Sequence, residues 1–145
     1  MRRVTFGLSL AATLAAALGA AAQSGNQISV PVEGLRNSNG SVRCGLYASA
    51  ATFPKNGQEF RGVVAPITNQ QATCVFDGIP AGTYAVAVFH AENNETQMQT
   101  NFFGQPKEGY GFSRNPSSSM GAPAFNAAAY AYPGGMTAWP VKLTY

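Results

Sequence analysis

The turn Asp77–Gly82 and the two apolar runs beside it constrain the fold of this chain more than any other feature. The turn combines Asp, Gly and Pro, which interrupt regular structure, and the runs 72–76 and 83–91 flank it. The second run is rich in Tyr, Val and Phe, which favour strands. Alternation along a strand places its large side chains on one face: Tyr84, Val86 and Val88. The segment therefore predicts two strands around a tight turn.

Short strand patterns recur along the rest of the chain, whereas helical periodicity is rare. Further strands are predicted at four places: Gln27–Glu33, Ser41–Ser49, Ala124–Tyr130 and Met136–Tyr145. The turn Asn39-Gly40 is predicted to join the first two as a hairpin, with Pro31 at an edge or non-bonded position. Residues 50–66 break any period, and we expect them to cover a sheet edge or to form one short helical turn.

The C-terminal third is interrupted too often to hold a long helix. Its breakers are Gly104, Pro106, Gly109, Gly111, Pro116, Gly121 and Pro123. They predict an ordered, winding loop. Six or seven short strands and no long helix favour an all-β fold, a single-domain antiparallel β-sandwich resembling immunoglobulin or transthyretin domains.

The chain has two cysteines, Cys44 and Cys74. Each lies in an alternating run, so both side chains are expected to face the core. In an exported chain, an even number of cysteines favours a disulfide, which in the chain-entropy model stabilises by about 3 to 4 kcal/mol. The alternative is a pair of reduced, buried thiols that pack as small apolar groups.

The first 22 residues have the pattern of a signal peptide. Two arginines precede an apolar run from Val4 to Leu18, which at about 15 residues is shorter than the ~20 of a spanning helix. Ala20 and Ala22 supply the small side chains that signal peptidase accommodates. We predict a signal peptide over residues 1–22, one β-sandwich domain over 23–145, no transmembrane segment after cleavage, and a periplasmic or secreted bacterial protein. The alternative is an uncleaved membrane anchor.

The charge of the mature chain argues against nucleic acid as a partner. Without Arg2 and Arg3, the nine basic residues become seven, against six acidic residues. These basic residues are scattered singly along the sequence, so they form no stripe that could neutralise successive phosphates.

Two stretches carry a family resemblance: DGIPAGTYAVAVFH at 77–90 and NFFGQPKEGYGFS at 101–113. Together with Gly34-Leu35-Arg36 and the segment Gly121–Phe125, they resemble the DUF2141 family over nearly all of the mature chain. The resemblance implies an exported bacterial β-sandwich. It implies no characterised activity, substrate or cofactor.

An acidic run similar to HDENGNGKLDTN commonly follows the strand-end histidine in this family. Such a loop suits Ca²⁺, which takes six to eight hard oxygen ligands. Here the run 90–101 keeps two carboxylates, Glu92 and Glu95, and Ala91 and Gln99 replace the usual aspartates. We therefore predict no metal site. The open alternative is a Ca²⁺ loop completed by amide carbonyl oxygens: Asn93, Asn94 and Asn101.

His90 is the only histidine and invites a catalytic or metal-binding interpretation. A zinc site needs three or four protein ligands, of which this chain offers one imidazole. A nucleophilic mechanism would use His90 as base with one of several nearby serines: Ser113, Ser117, Ser118 or Ser119. The chain has no Gly-x-Ser-x-Gly motif. The alternative to a catalytic or metal-binding role is a structural histidine whose nitrogens bond loop carbonyls. We predict no catalytic residue and no cofactor.

The segment from His90 to Arg114 is the best candidate for contact with a partner. Aromatic side chains provide binding area there, and glycines permit close backbone approach. The candidate binding residues are His90, Glu92, Asn101, Phe102, Phe103, Lys107, Glu108, Tyr110, Phe112 and Arg114. The alternative is that the aromatic residues plug the open end of the sandwich.

Three functional hypotheses follow from these observations. The first is a noncatalytic binding or scaffolding module of the cell envelope, whose partner is an envelope protein, a glycan or a small molecule. The second is a structural protein that associates with itself through an exposed strand edge. The third is a hydrolase or metal-dependent enzyme centred on His90.

Overall fold

The computed structural model describes residues 25–98, 106–117 and 121–145. Within them, one short helix and nine strands are formed: β1 Gln27–Glu33, β2 Ser41–Tyr47, β3 Arg61–Pro66, β4 Ala72–Asp77, β5 Gly82–Ala91, β6 Tyr110–Phe112, α1 Phe125–Ala128, β7 Tyr130–Tyr132, β8 Met136–Ala138 and β9 Val141–Lys142. The predicted signal peptide and the candidate residues Asn101, Phe102 and Phe103 lie outside the described residues.

The strands form two sheets that pack face to face. In the first sheet β1 lies between β4 on one side and β8 and β9 on the other. The second sheet has the order β3-β2-β5-β6, and β7 also pairs with β5. The predicted all-β sandwich is therefore confirmed, although the first sheet is mixed because β8 and β9 run parallel to β1.

The expected hairpin between β1 and β2 is wrong. These strands belong to different sheets, since β1 pairs with β4 whereas β2 pairs with β3 and β5. The turn Asn39-Gly40 thus carries the chain from one sheet to the other. The turn Asp77–Gly82 does the same between β4 and β5, whose predicted positions are confirmed to within a residue.

Pro31 lies in the middle of β1 at a position where its missing N–H costs no ladder bond. The carbonyls of Ser29 and Glu33 accept hydrogen bonds from Trp139 and Leu143 on the side of β8 and β9. Backbone polar groups of alternate residues point the same way, so the nitrogen of Pro31 faces this side, between the end of β8 and the start of β9.

The core lies between the two sheets and is built from the alternating positions of four strands. Its members include Ile28, Val30, Val42, Leu46, Phe76, Tyr84, Val86 and Val88, all buried. Cys44 of β2 and Cys74 of β4 form a disulfide within this core and link the sheets covalently. The predicted pairing and inward orientation of both cysteines are thus confirmed.

A second apolar cluster covers part of the outer face of the five-stranded sheet. Phe53 lies at its centre and meets the rings of Tyr47, Phe112 and Phe125 edge-on at 5.4 to 5.9 Å between centroids. Ala128 of α1 is fully buried against the same face. The loop 48–60 and α1 therefore form a third layer over one half of this sheet.

Three local predictions are corrected by the structure. Residues 61–66 form β3, because pairing with β2 extends a segment whose own pattern is weak. The predicted strand 124–130 is instead α1 followed by β7, and the predicted strand 136–145 is split at Trp139-Pro140 into β8 and β9. In the described ranges, no helix is both long and apolar enough to cross a bilayer.

Candidate functional site

A groove of about 890 Å³ lies on the half of the outer face that the third layer leaves open. Strand register explains its shape. Paired residues on neighbouring strands point to the same face, so outward-facing side chains form rows across the sheet. One row is Val64, Arg43, Phe89 and Tyr110, and the next is Gly62, Gly45, Ala87 and Phe112.

The groove is deep because the second row has almost no side chains. Gly62, Gly45 and Ala87 lie side by side on β3, β2 and β5, so they form a floor of backbone and one methyl group. Aromatic rings rise around it: Tyr47, Phe89, Tyr110 and Phe112. The rim is completed by Asn56 and Gly57 of the 48–60 loop, by Met98 and by Tyr145.

Two charged side chains line the groove with buried atoms that lack a partner. Arg43 is partly buried on β2, and its Nε has no hydrogen-bond partner among the described residues. Glu59 lies over the glycine floor, with its Oε1 3.3 Å from where a Cβ of Gly62 would stand, and its Oε2 likewise has no partner in the described part. Among the described residues, the groove thus combines aromatic walls with one cation and one anion.

Tyr47 is held rigidly at the end of the groove. Its hydroxyl donates a hydrogen bond to the carbonyl of Lys55 at 3.2 Å, and its ring packs on Phe53. Burial, with a smaller contribution from the Glu59 carboxylate, raises the pKa of Tyr47 to about 12. The phenol therefore stays neutral and presents an apolar wall at neutral pH.

His90 lies inside the sandwich rather than in the groove. Its side chain is fully buried, and its Nε2 donates to the carbonyl of Asn39 at 2.7 Å, because a carbonyl can only accept. With the hydrogen on Nε2, Nδ1 accepts from the hydroxyl of Tyr145 at 2.7 Å. That hydroxyl also accepts from the N–H of Arg36. These bonds tie β5, the C-terminus and the turn before β2 together.

A smaller recess of about 540 Å³ collects charged residues near the end of β5: Arg36, Glu92, Asn93, Glu95, Lys107 and Glu108. Glu92 forms an ion pair with Arg36 and accepts from the amide of Asn37. Burial raises the pKa of Glu92, but these hydrogen bonds and the Arg36 charge outweigh it and leave the pKa below its usual value. Glu95 accepts from the backbone and side chain of Asn93.

The carboxylates of Glu92 and Glu95 are thus already bonded to donors of the protein itself. Among the described residues, no cluster of three or more His, Cys, Asp or Glu side chains is arranged to hold a metal ion.

Arg114 and the neighbouring Ser113 hold the third layer in place. Arg114 donates to the carbonyls of Asn126 and Ala129, at 3.0 and 3.3 Å. Ser113 is fully buried, and its Oγ accepts from the N–H of Val86 at 2.8 Å and donates to the carbonyl of Ala128. Ser113 therefore connects α1 to β5, and Arg114, which is exposed, connects the turn after β6 to both ends of α1.

The glycines of the run PKEGYGFS are approached by the chain itself. A Cβ on Gly109 would lie 2.4 Å from the ring of Tyr145, and one on Gly111 would lie 2.6 Å from the carbonyl oxygen of Lys142. Tyr110 between them pairs with Thr144. These glycines let the C-terminal residues pack on β6.

Comparison with known proteins places this chain in a family. The family model of DUF2141, described as an uncharacterized protein conserved in bacteria, matches residues 30–138. The chain belongs to the DUF2141 family. Comparisons with curated proteins and with solved structures gave no significant match. The matched range of this DUF2141 protein contains the floor and the aromatic walls of the groove.

The predicted binding residues of the DUF2141 protein are divided among different places. Tyr110 and Phe112 line the groove, whereas Glu92, Lys107 and Glu108 line the charged recess. His90 and Arg114 line neither cavity.

Sequence reasoning on this DUF2141 protein missed most of the groove. The residues that it did not single out include Arg43, Gly45, Tyr47, Glu59, Gly62, Ala87 and Phe89. Alternation along β2 and β5 already implied that Arg43 and Phe89 face away from the core. No local signal indicated that β3 and β6 would flank them, because these pairings join distant parts of the chain.

Proposed function

We propose that this DUF2141 protein is an exported, noncatalytic binding module of the bacterial envelope that holds a small molecule in the groove. The observation that carries this proposal is the glycine-floored groove with aromatic walls. Its volume of about 890 Å³ is within the range of small-molecule sites, which are mostly apolar and carry a few polar groups.

The rigidity of the framework supports a binding role. The groove floor lies on β2, β3 and β5, and the disulfide at Cys44 anchors β2 to the opposite sheet. A site built on paired strands needs little ordering when a ligand binds, so less of the binding free energy is lost.

The sequence and the disulfide together support export. Residues 1–22 have the charged, apolar and small-residue regions of a signal peptide. The Cys44–Cys74 disulfide is typical of a periplasmic or secreted protein, since cytosolic thiols are kept reduced. We therefore assign the mature chain, residues 23–145, to the periplasm or the exterior.

The surroundings of His90 support a noncatalytic role over an enzyme centred on this residue. Both ring nitrogens are hydrogen-bonded inside the protein, and the ring is fully buried. A general base must reach a substrate proton directly or through one water. The hydroxyl of Ser113 is also engaged, between β5 and α1.

Filling the groove floor tests the proposal. Ala87→Leu adds a large side chain to the floor, between Gly45 and Phe112, whereas the same change at Ala131 adds it to an exposed position of β7 outside the groove. We would incubate the mature protein and both variants with the small-molecule fraction of a bacterial envelope extract. Native mass spectrometry then measures the retained ligand.

The wild type and Ala131→Leu are expected to retain the same ligand mass, and Ala87→Leu to lose it while keeping its circular dichroism spectrum. Retention by a folded Ala87→Leu protein at the wild-type level, or no retained mass in the wild type, would contradict a binding role for the groove.

A further inference from the structure

We propose that the ligand of the groove carries a carboxylate that Arg43 binds, next to a ring-sized apolar body that lies on the glycine floor. This inference rests on the proposed binding function and narrows its ligand to one chemical class.

The guanidinium of Arg43 is the feature that points to a carboxylate. It lies in the centre of the second sheet, between Val64 and Phe89 in its row, and its Nε is buried without a partner among the described residues. A buried donor of this kind is costly unless a hydrogen bond compensates it. The planar fork of an arginine matches the two oxygens of a carboxylate, which would satisfy Nε and one terminal nitrogen together.

The floor beside Arg43 defines the apolar part of the ligand. Gly45 is two residues from Arg43 along β2, which separates their rows by about 7 Å. A six-membered ring with a short carboxylate side chain covers this distance, with the ring at the floor and the carboxylate at Arg43. The ring would then lie over Ala87 and over the parts of Gly45 and Gly62 that Tyr47 and Glu59 leave open, and it would contact the edge of Phe112.

Glu59 determines the orientation of the ligand in the groove. Its carboxylate lies over Gly62, at the glycine row, and its Oε2 is buried without a partner in the described part. A hydroxyl or ammonium group at the far end of the ring would satisfy this oxygen, whereas a second carboxylate there would be repelled. The geometry thus favours a ring with a carboxylate at one end and a hydrogen-bond donor at the other.

A pair of probe compounds tests the carboxylate. We would titrate the mature protein with 3-(4-hydroxyphenyl)propanoate and with its neutral amide, and measure both affinities by calorimetry. The wild type is expected to bind the carboxylate at least about tenfold more tightly than the amide, as a charge-assisted pair with Arg43 requires. Arg43→Gln is expected to remove this preference, because it should weaken binding of the carboxylate far more than binding of the amide.

Arg61→Gln is the matched control. Arg61 is on the neighbouring β3 and stacks on Phe60 rather than lining the groove, so the variant loses the same charge at a different place. It is expected to keep the wild-type preference for the carboxylate. Equal affinities of the wild type for both probes, no binding of the carboxylate at millimolar concentration, or equal losses in both arginine variants would overturn the inference.

The test separates this inference from the proposed function. If Ala87→Leu abolishes retention of the envelope ligand but Arg43→Gln does not, the groove remains a binding site and the carboxylate assignment is rejected. If Ala87→Leu retains the ligand, the groove itself is rejected.

Discussion

The outer face of the second sheet forms a groove because three neighbouring positions have no side chain or a small one: Gly45, Gly62 and Ala87. Larger residues at these positions would make this face flat. A Cβ on Gly45 would lie 2.9 Å from the ring of Tyr47, which is itself fixed by Phe53 and Lys55. Any larger residue there would displace a packed aromatic ring. The composition of the chain, with its 16 glycines, gave no sign of which ones would form this floor.

His90 is expected to stabilise the fold rather than bind the ligand. His90→Ala removes a buried ring and two hydrogen bonds, so the free energy of unfolding should fall by about 2–4 kcal/mol. Urea denaturation measures this loss. Tyr145→Phe, which removes only one hydroxyl, should cost about 1 kcal/mol. If His90→Ala kept the wild-type stability but lost the groove ligand, His90 would be a binding residue after all.

The raised pKa of Tyr47 predicts an alkaline loss of stability. A free tyrosine titrates near 10, whereas burial and the Glu59 carboxylate raise the pKa of Tyr47 to about 12 in the folded protein. The folded state therefore holds this proton more tightly than the unfolded state. The contribution of Tyr47 is complete below about pH 10 and is lost as the pH rises through about 12.

Urea denaturation at about pH 8 and about pH 11 measures this effect. Between these two pH values, the free energy of unfolding of Tyr47→Phe should decrease less than that of the wild type. Identical decreases in both proteins would contradict the assignment.

Among the elements, the strands that alternate clearly were predictable and the short ones were not. The strands β1, β4 and β5 carry their own pattern, and their predicted bounds agree with the structure to within a residue. In contrast, β3 contains Gly62 and Pro66, and its strand conformation depends on pairing with β2. The helix α1 has a single turn and no side-chain cap, so its sequence carries no helix signal.

Ser113 holds α1 against β5, and its removal should loosen the third layer. Ser113→Ala leaves the buried N–H of Val86 without its side-chain acceptor, so the free energy of unfolding should fall by about 1–3 kcal/mol. Hydrogen exchange gives the more specific measurement. Relative to the wild type, the variant should raise the exchange rates of the amides in residues 125–132 more than those of the amides in β1. A uniform increase over both sheets would show that Ser113 has no particular role in this layer.

At the scale of the whole molecule, the disulfide is the covalent link between the sheets. Replacing both Cys44 and Cys74 with Ala should lower the free energy of unfolding by about 3 to 4 kcal/mol, the loop-closure value for their separation of 30 residues. Thermal denaturation with and without a reducing agent provides the check. The double variant should show no response to the reducing agent, whereas the wild type should lose stability.

The sandwich and its disulfide could be predicted from the sequence, but the pairing of strands could not. Alternation along a strand shows which side chains face the core, but it does not show which other strand pairs with it. Gly45 meets Gly62 and Ala87 only because β2 pairs with both β3 and β5. The groove is a product of that register, and for this reason the site that we propose lies on the outer face of the sheet rather than in the loop after His90.

Amide chemical-shift mapping tests the groove most directly. The labelled mature protein would be titrated with the ligand fraction that native mass spectrometry identifies. The account predicts that the largest shifts fall on the floor and walls: Arg43, Gly45, Gly62, Ala87, Phe89 and Phe112. Shifts concentrated on the exposed face of β4, around Thr73 and Val75, or in the charged recess around Glu92 would contradict it.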